Sequence, residues 1–519
     1  MQAHSIFNDV LGPLMAGPSS SHSAGCARIG RQTRMLWGKE IRNAVVVYDS
    51  QGSYPSTCVG QGSNFGFTGG LLGLKNDDPR IKDSEEMARQ MGVEITFCIE
   101  KLSARHPNEA RIDVYDERGE VGLSALTLST GGGMFEIVEV DGFSVSIDGS
   151  CDRLLVCCAA VQAEDIAEKL TACGKKIDRS EERDGFVMLT VSGLSISLEE
   201  AANMAEQLPG VQYVRCAPVV LPVPMRVDGK ASFCTAAEMV RYGRETGKAL
   251  WELALDYECA LGEVSQAQVL DQAARTLAVM RQAAQAPDPD QTPMYGFLPY
   301  QSRRMAERKQ SVSTVNCGWL DKAMLYALAV MENSCAHNIV AAAPTAGSSG
   351  VVPAAVVAVG EEMGCTDEEI IRGLLAAGLA GACIANQATF GAEVAGCQAE
   401  NGAASAMAAC GVVQLLGGTV KQGMDAASLA LQNLLGLICD PIGGLTEIPC
   451  ISRNVTAMSN AILSANMTML GFDQIIPFDE TIETMLRVGR QLPAELRCTC
   501  KGGLCTTPAA QCVVSRMKK

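Results

Sequence analysis

Two prolines, Pro222 and Pro224, divide the chain into parts that cannot share a fold type. Ahead of them, residues 44–48, 93–98, 135–140 and 143–147 form short runs rich in β-branched and aromatic side chains, bounded by glycine-rich turns. Such runs read as strands, so residues 1–150 are expected to form an α+β domain. Residues 151–224 carry a tighter order: strand 154–160, helix 163–173, short strand 176–179, strand 186–192, helix 198–207 and strand 211–220. Strand–helix–strand–strand–helix–strand is the ferredoxin-like arrangement. Beyond the prolines, apolar residues recur near every 3.6 positions over 236–246, 249–260 and 265–284, the spacing of a helix with one buried face. Pro287, Pro289 and Pro293 break that run. Further helices are expected at 319–333, 351–363, 367–385, 402–416, 424–435 and 455–468, which makes 225–519 all-α. Its richness in Ala and Gly lets helices approach closely and leaves the chemistry to loops.

Bulk composition narrows the class. At 519 residues the chain exceeds one hydrophobic core, and 47% apolar with 19% charged residues is a globular composition. A formal charge of −16 argues against nucleic acid or an anionic membrane as partner, because both select basic surfaces. The opening stretch MQAHSIFNDVLGPLMAGPSSSHSAG has neither a basic leader nor a signal-type apolar core. Residues 351–363 and 373–385 are too short and too rich in small residues to span a bilayer. A soluble, cytoplasmic protein is therefore expected, and the 22 cysteines are read as thiols in a reducing compartment.

Three of those cysteines stand in distinctive settings. Cys397 lies in GCQAENGAASAMAA, Cys439 in CDPIGG and Cys450 in PCISRN, the last two beside a proline. Their spacing, C-x41-C-x10-C, matches neither zinc-finger nor ferredoxin patterns, so spacing alone makes only a weak metal site. The segments GCQAENGAASAMAA, CDPIGGLTEIPCISRN and AAAPTAGSSGVVPA resemble those of the iron–sulfur-dependent L-serine dehydratases. So do GPSSSHSAG near the start, HPNEARI at 106–112, GGGMFEI at 131–137 and PFDETIETM at 477–485. The resemblance spans nearly the whole chain and implies a fusion of the family's beta module (1–150), an ACT-like module (151–224) and its alpha module (225–519).

That resemblance implies that Cys397, Cys439 and Cys450 hold a [4Fe–4S] cluster. Three thiolates leave one iron open, and that iron acts as a Lewis acid on the hydroxyl of a small amino-acid substrate. Ser19, Ser20, Ser21 and His22, between Pro18 and Gly25, suit a substrate carboxylate, as do Thr345, Ala346, Gly347 and Ser348 in a second loop. A homodimer is expected from the family and from the prevalence of two-fold oligomers.

One departure stands out. The family carries a histidine in a Gly-Lys-Gly-His-type segment of the beta module. Here the stretch reads VGQGSNFGFTGGLLG, with Ser63 or Asn64 where that histidine belongs. The proton acceptor is then His22, or a polar residue of the Ser63–Asn64 loop acting through water, or the pocket has been rebuilt for another β-hydroxy or β-thiol amino acid. Asn401, where the family more often has an apolar residue, fits the last idea as a substrate-binding residue, and so does His337. Some family members plug the open iron with a C-terminal cysteine, but Cys498, Cys500, Cys505 and Cys512 are not terminal and read as structural. A catalytically lapsed sensor of amino acids or oxygen is the reading from another class.

Overall fold

The computed structural model describes residues 3–103, 105–287, 296–309 and 311–517. Pro289 and Pro293, two of the prolines expected to end the helical run, lie outside them. In chain order the described strands are β1 (Leu14–Ala16), β2 (Asn43–Asp49), β3 (Glu94–Glu100), β4 (Glu109–Tyr115), β5 (Val121–Gly131) and β6 (Met134–Val140). They continue as β7 (Phe143–Ile147), β8 (Arg153–Ala159), β9 (Gly174–Arg179), β10 (Phe186–Leu194), β11 (Val211–Ala217) and β12 (Ile339–Ala341). Contacts divide the chain into two compact units: residues 21–229, and residues 1–20 together with 230–519.

The unit of residues 21–229 contains two sheets. The first has six strands in the order β3-β2-β4-β5-β6-β7, with β2 and β3 parallel and every other neighbour antiparallel. Its core joins Val46, Tyr48, Ile112 and Val114 to Ile29 of the helix Gly25–Trp37 and Phe67 of the helix Ser63–Leu71. Glycine is required where those helices cross, since a Cβ on Gly70 would lie 2.2 Å from the Ala27 carbonyl oxygen. The second sheet runs β11-β8-β10-β9, all antiparallel, with the helices Ala163–Leu170 and Leu198–Glu206 between its strands in sequence. This is the expected ferredoxin-like order. Side chains of β8 alternate: Leu155 and Cys157 join the core of the first sheet, while Leu154, Val156 and Cys158 pack with the two helices. Both faces of β8 are thus covered, which is why its sequence reads LLVCC without polar interruption.

The unit of residues 1–20 and 230–519 is helical around two largely buried helices, Asp367–Gln387 and Ala403–Leu415. Small residues let them touch: a Cβ on Gly411 would lie 2.8 Å from the Gly373 carbonyl oxygen. Among the described residues no helix is long and apolar enough to cross a membrane. The one ladder of this unit, β1 against β12, pairs Leu14 with Ala341 and Ala16 with Ile339.

Residues 5–7 close the same unit over a buried carboxylate. Glu258 accepts from the Ser5 hydroxyl, from the Ile6 amide at 2.9 Å and from the Phe7 amide at 3.5 Å. Burial pushes its pKa up to about 7, against the pull of those hydrogen bonds. A carboxyl titrating higher in the folded than in the unfolded chain contributes stability below its unfolded pKa and loses it as pH rises through about 7. Urea unfolding between about pH 5 and pH 8 is therefore expected to show a flatter decline in stability for Glu258→Gln than for the wild type. Identical slopes would contradict this assignment.

Candidate metal centre and active site

Each of the three cysteines sits where the backbone changes direction. Cys397 follows Gly396 (φ 73°) and precedes a single wide helical turn, Gln398–Gly402, that runs into the helix Ala403–Leu415. Gln398 fixes it twice, donating its amide N–H to Leu437 O (3.1 Å) and accepting from Gly436 N–H on its side-chain oxygen (2.9 Å). Cys439 lies in extended chain, its N–H on Leu496 O and its carbonyl accepting from Cys498 N–H, both at 2.9 Å. Cys450 opens the helix Cys450–Met469 directly after Pro449.

The three thiols are buried and close in chemical terms. Cys397 and Cys439 share an apolar cluster with Ala392 and Leu437, against which Cys498 packs. Cys450 lies in a neighbouring cluster with Leu328, Met331 and Cys335. Burial pushes the Cys397 thiol up to about 12, helped by the charge of Glu400. The hydrogen bond with Cys498 and then burial hold Cys439 well above the ordinary thiol range. Burial does the same for Cys450, with Cys397 and Glu400 adding to it. Thiolates packed this way need a compensating cation.

Neighbours one helical turn along tie the cysteine segments together. Asn401 Nδ2, on a residue expected to bind substrate, donates to Cys397 Sγ at 3.0 Å. Arg453 pairs with buried Asp440 at 2.8 Å and donates to Ile438 O at 2.9 Å, which clamps the Cys439 segment to the helix of Cys450. Asn454 donates to Gly347 O at 2.8 Å and to Cys450 O at 2.9 Å, and accepts from Gly350 N–H at 3.0 Å. The Thr345–Ser348 loop is thereby fastened to the cysteine helix. Within that loop Ser348 Oγ is buried and turned inward to Ala343 O and Thr345. Thr345 Oγ1 points outward, donating to Glu400 Oε1 at 2.8 Å. Glu400 is part-buried, and desolvation pushes its pKa up to about 7 although the Thr345 hydroxyl pulls the other way.

The serine loop spans both units, and its halves are described separately. Ser19 and Ser20 belong to the helical unit. There Gly17 N–H donates to Asn338 O at 3.1 Å, and the Thr446 hydroxyl, four residues ahead of Cys450, donates to Pro18 O at 3.5 Å. His337 holds a positive φ of 57° at the turn into β12. Ser21 and His22 belong to the other unit. Ser129 Oγ donates to Ser21 O at 2.7 Å; His22 Nδ1 meets Ser21 Oγ at 2.9 Å and Nε2 meets Ser53 Oγ at 3.2 Å. Ser53 in turn donates to Asn108 of the HPNEARI segment, and the Tyr54 ring stands edge-on to His22 at 5.4 Å. Burial pulls the His22 pKa down to about 4, so its imidazole is neutral at neutral pH. Ser63 begins the helix Ser63–Leu71 with its hydroxyl buried, and Asn64 accepts from the Tyr48 hydroxyl at 2.9 Å.

The helical unit therefore gathers Cys397, Cys439, Cys450, Asn401 and the Thr345 loop, while His22, Ser63 and Asn64 belong to the other. Sequence reasoning missed Glu400, Asp440, Arg453, Asn454 and the place of Cys498 beside Cys439. The first four sit within three or four residues of a recognised cysteine, inside the motifs themselves, so helical spacing was the available signal. Cys498 carried none, because its partner lies 59 positions earlier in the chain.

The donor set fits an iron–sulfur cluster: three buried thiols and an amide N–H on one sulfur. Among the described residues no three His, Cys, Asp or Glu side chains close on a point small enough for a single metal ion. A cuboidal cluster does not require that, since its ligands sit at separate corners.

Residues 245–505 match the family model described as serine dehydratase alpha chain. The L-serine dehydratase alpha chain of Peptoniphilus asaccharolyticus is 36% identical over 279 residues, 53% of this chain and 95% of that one. A probable L-serine dehydratase beta chain of Bacillus subtilis (strain 168) is 41% identical over 156 residues, 30% of this chain and 69% of that one. The L-serine dehydratase of Streptomyces coelicolor is 28% identical over 495 residues, covering 94% and 96% of the two chains.

Proposed function

The chain belongs to the iron–sulfur L-serine dehydratase family of ammonia-lyases, and from that premise we propose that it converts L-serine to pyruvate and ammonia with a [4Fe–4S] cluster on Cys397, Cys439 and Cys450. The observation that carries the proposal is the set of three buried thiols, with the Cys397 segment tied to residues 436–437 by Gln398 and the Cys439 segment tied to the Cys450 helix by Arg453. When bound, the cluster supplies a Lewis-acidic iron without a protein ligand, which stabilises the hydroxide as it leaves. The protein's own groups do the rest. Ser19, Ser20 and the Thr345–Gly347 loop take the substrate carboxylate. Asn401 holds Cys397 in place. His22, neutral and oriented by two hydroxyls, is the residue assigned to receive the Cα proton, which requires one of those hydroxyls to give way. Loss of that proton and of hydroxide gives the enamine, which tautomerises to the imine and hydrolyses to the 2-oxo acid and ammonia.

The same reading assigns residues 1–150 to a beta-type module and 225–519 to an alpha-type module. Residues 151–224 are read as an ACT-like module, and the chain as a cytoplasmic homodimer. The polar pair Ser63–Asn64 in place of the family histidine favours a second substrate, L-threonine or L-cysteine, within the same elimination chemistry.

Anaerobic reconstitution with iron and sulfide, followed by assays on L-serine, L-threonine and L-cysteine, tests the proposal. Pyruvate from L-serine is expected, with activity falling on exposure to air as the open iron is lost. Preference for another substrate reassigns the pocket, and silence with all three sinks the enzymatic reading in favour of a sensor.

A further inference from the structure

Glu400 is a carboxylate with no cation. Its Oε1 accepts from Thr345 Oγ1, and it forms no ion pair with any described Arg, Lys or His. Arg453, a nearby cation, is already committed to Asp440 and to Ile438 O. The carboxylate lies over the α-carbon of Gly347: a Cβ there would come within 3.2 Å of Oε1 and 3.6 Å of Oε2. Glycine at 347 thus leaves open the face of the loop that Glu400 overlooks. A buried carboxyl group with no counter-charge favours a cationic ligand placed beside it. Resting on the functional reading above, we propose that Glu400 receives the α-ammonium group of the substrate, so that the site selects amino acids over acids that lack nitrogen.

The inference is separable from the chemistry, because an unreactive amino acid carries the same ammonium group. The test is calorimetric binding of L-alanine and of propionate to the anaerobic, cluster-loaded full chain, in wild type and Glu400→Gln. The amide keeps an acceptor for Thr345 and removes only the charge. Charge-assisted hydrogen bonds support a loss of roughly 10- to 100-fold in L-alanine affinity, with propionate affinity unchanged and the visible cluster absorbance intact. KM for L-serine is expected to rise by a similar factor, more than kcat falls. Equal affinity of wild type and variant for L-alanine overturns the assignment, as does parallel weakening of both ligands. Loss of the cluster absorbance in Glu400→Gln overturns it in favour of a role in holding the cluster. Failure of the wild type to bind L-alanine at all would sink the functional reading itself, a result distinct from each of these.

Discussion

Serine in place of Cys439 is expected to abolish the broad visible absorbance at about 400 nm of the reconstituted protein, and with it the dehydratase activity. The backbone at this position is fixed independently of the side chain, by Leu496 O and Cys498 N–H, so the variant keeps its local fold. What changes is the donor: a neutral, hard hydroxyl is a far poorer ligand for cluster iron than a soft thiolate. Cys410→Ala provides the contrast. Cys410 is equally buried but lies well along the helix Ala403–Leu415, away from the two thiol clusters, and the variant is expected to retain the full absorbance. An intact cluster in Cys439→Ser would remove the ligand assignment on which the rest of the site depends.

Leucine in place of Asn454 is expected to cost more activity than its distance from any reacting atom suggests. The side chain is wholly buried and serves Gly347 O, Cys450 O and Gly350 N–H together. Leucine of similar size leaves the Gly350 N–H and Gly347 O without partners, at about 1–3 kcal/mol each. The Thr345 loop then loses its tether to the cysteine helix. Displacements of about 1 Å in such a positioning element cost on the order of 10²-fold in rate. Asn460→Leu is the matched comparison, since Asn460 lies on the same helix but bonds Ser405 Oγ and Ala430 O. Both variants should unfold at lower urea concentration, while only Asn454→Leu should lose kcat/KM per folded molecule. Equal kcat/KM in the two would show that the tether has no part in catalysis.

The parts of this protein legible in its sequence are those with a local period or a local motif. The helices Ala236–Thr246, Leu250–Leu261 and Gln266–Ala283 fall where the apolar spacing put them, and Ala236–Thr246, Gln266–Ala283 and Leu198–Glu206 each begin on a Ser or Thr cap. The ferredoxin-like unit was readable because its strands and helices alternate within some 70 residues. β4 was not, because charged residues such as Glu109, Arg111 and Asp113 break its apolar pattern. In the fold those charges find partners, Glu109 capping Ser103 and Asp113 pairing with Arg111. The pairing of β1 with β12 was likewise invisible, since three-residue strands carry no signal and their partners stand more than 300 positions apart. At the site, motifs identified the cysteines, but the divided serine loop and the counter-charge problem at Glu400 are properties of three-dimensional packing alone.

The membership of residues 5–20 in the helical unit has a consequence for how the chain comes into being. Synthesis delivers these residues more than 230 positions ahead of their partners, Glu258, Ile339–Ala341 and Gly378. While the intervening sheets are made and fold, the opening segment has nothing to bind, and Ile6, Phe7 and Leu11 stay exposed to water. The helical unit cannot seal its carboxylate at 258 or its strand edge at 339 until that early segment returns. Completion of the catalytic half is thus a late, long-range closure, and a helical half expressed by itself would meet the cell with an open groove.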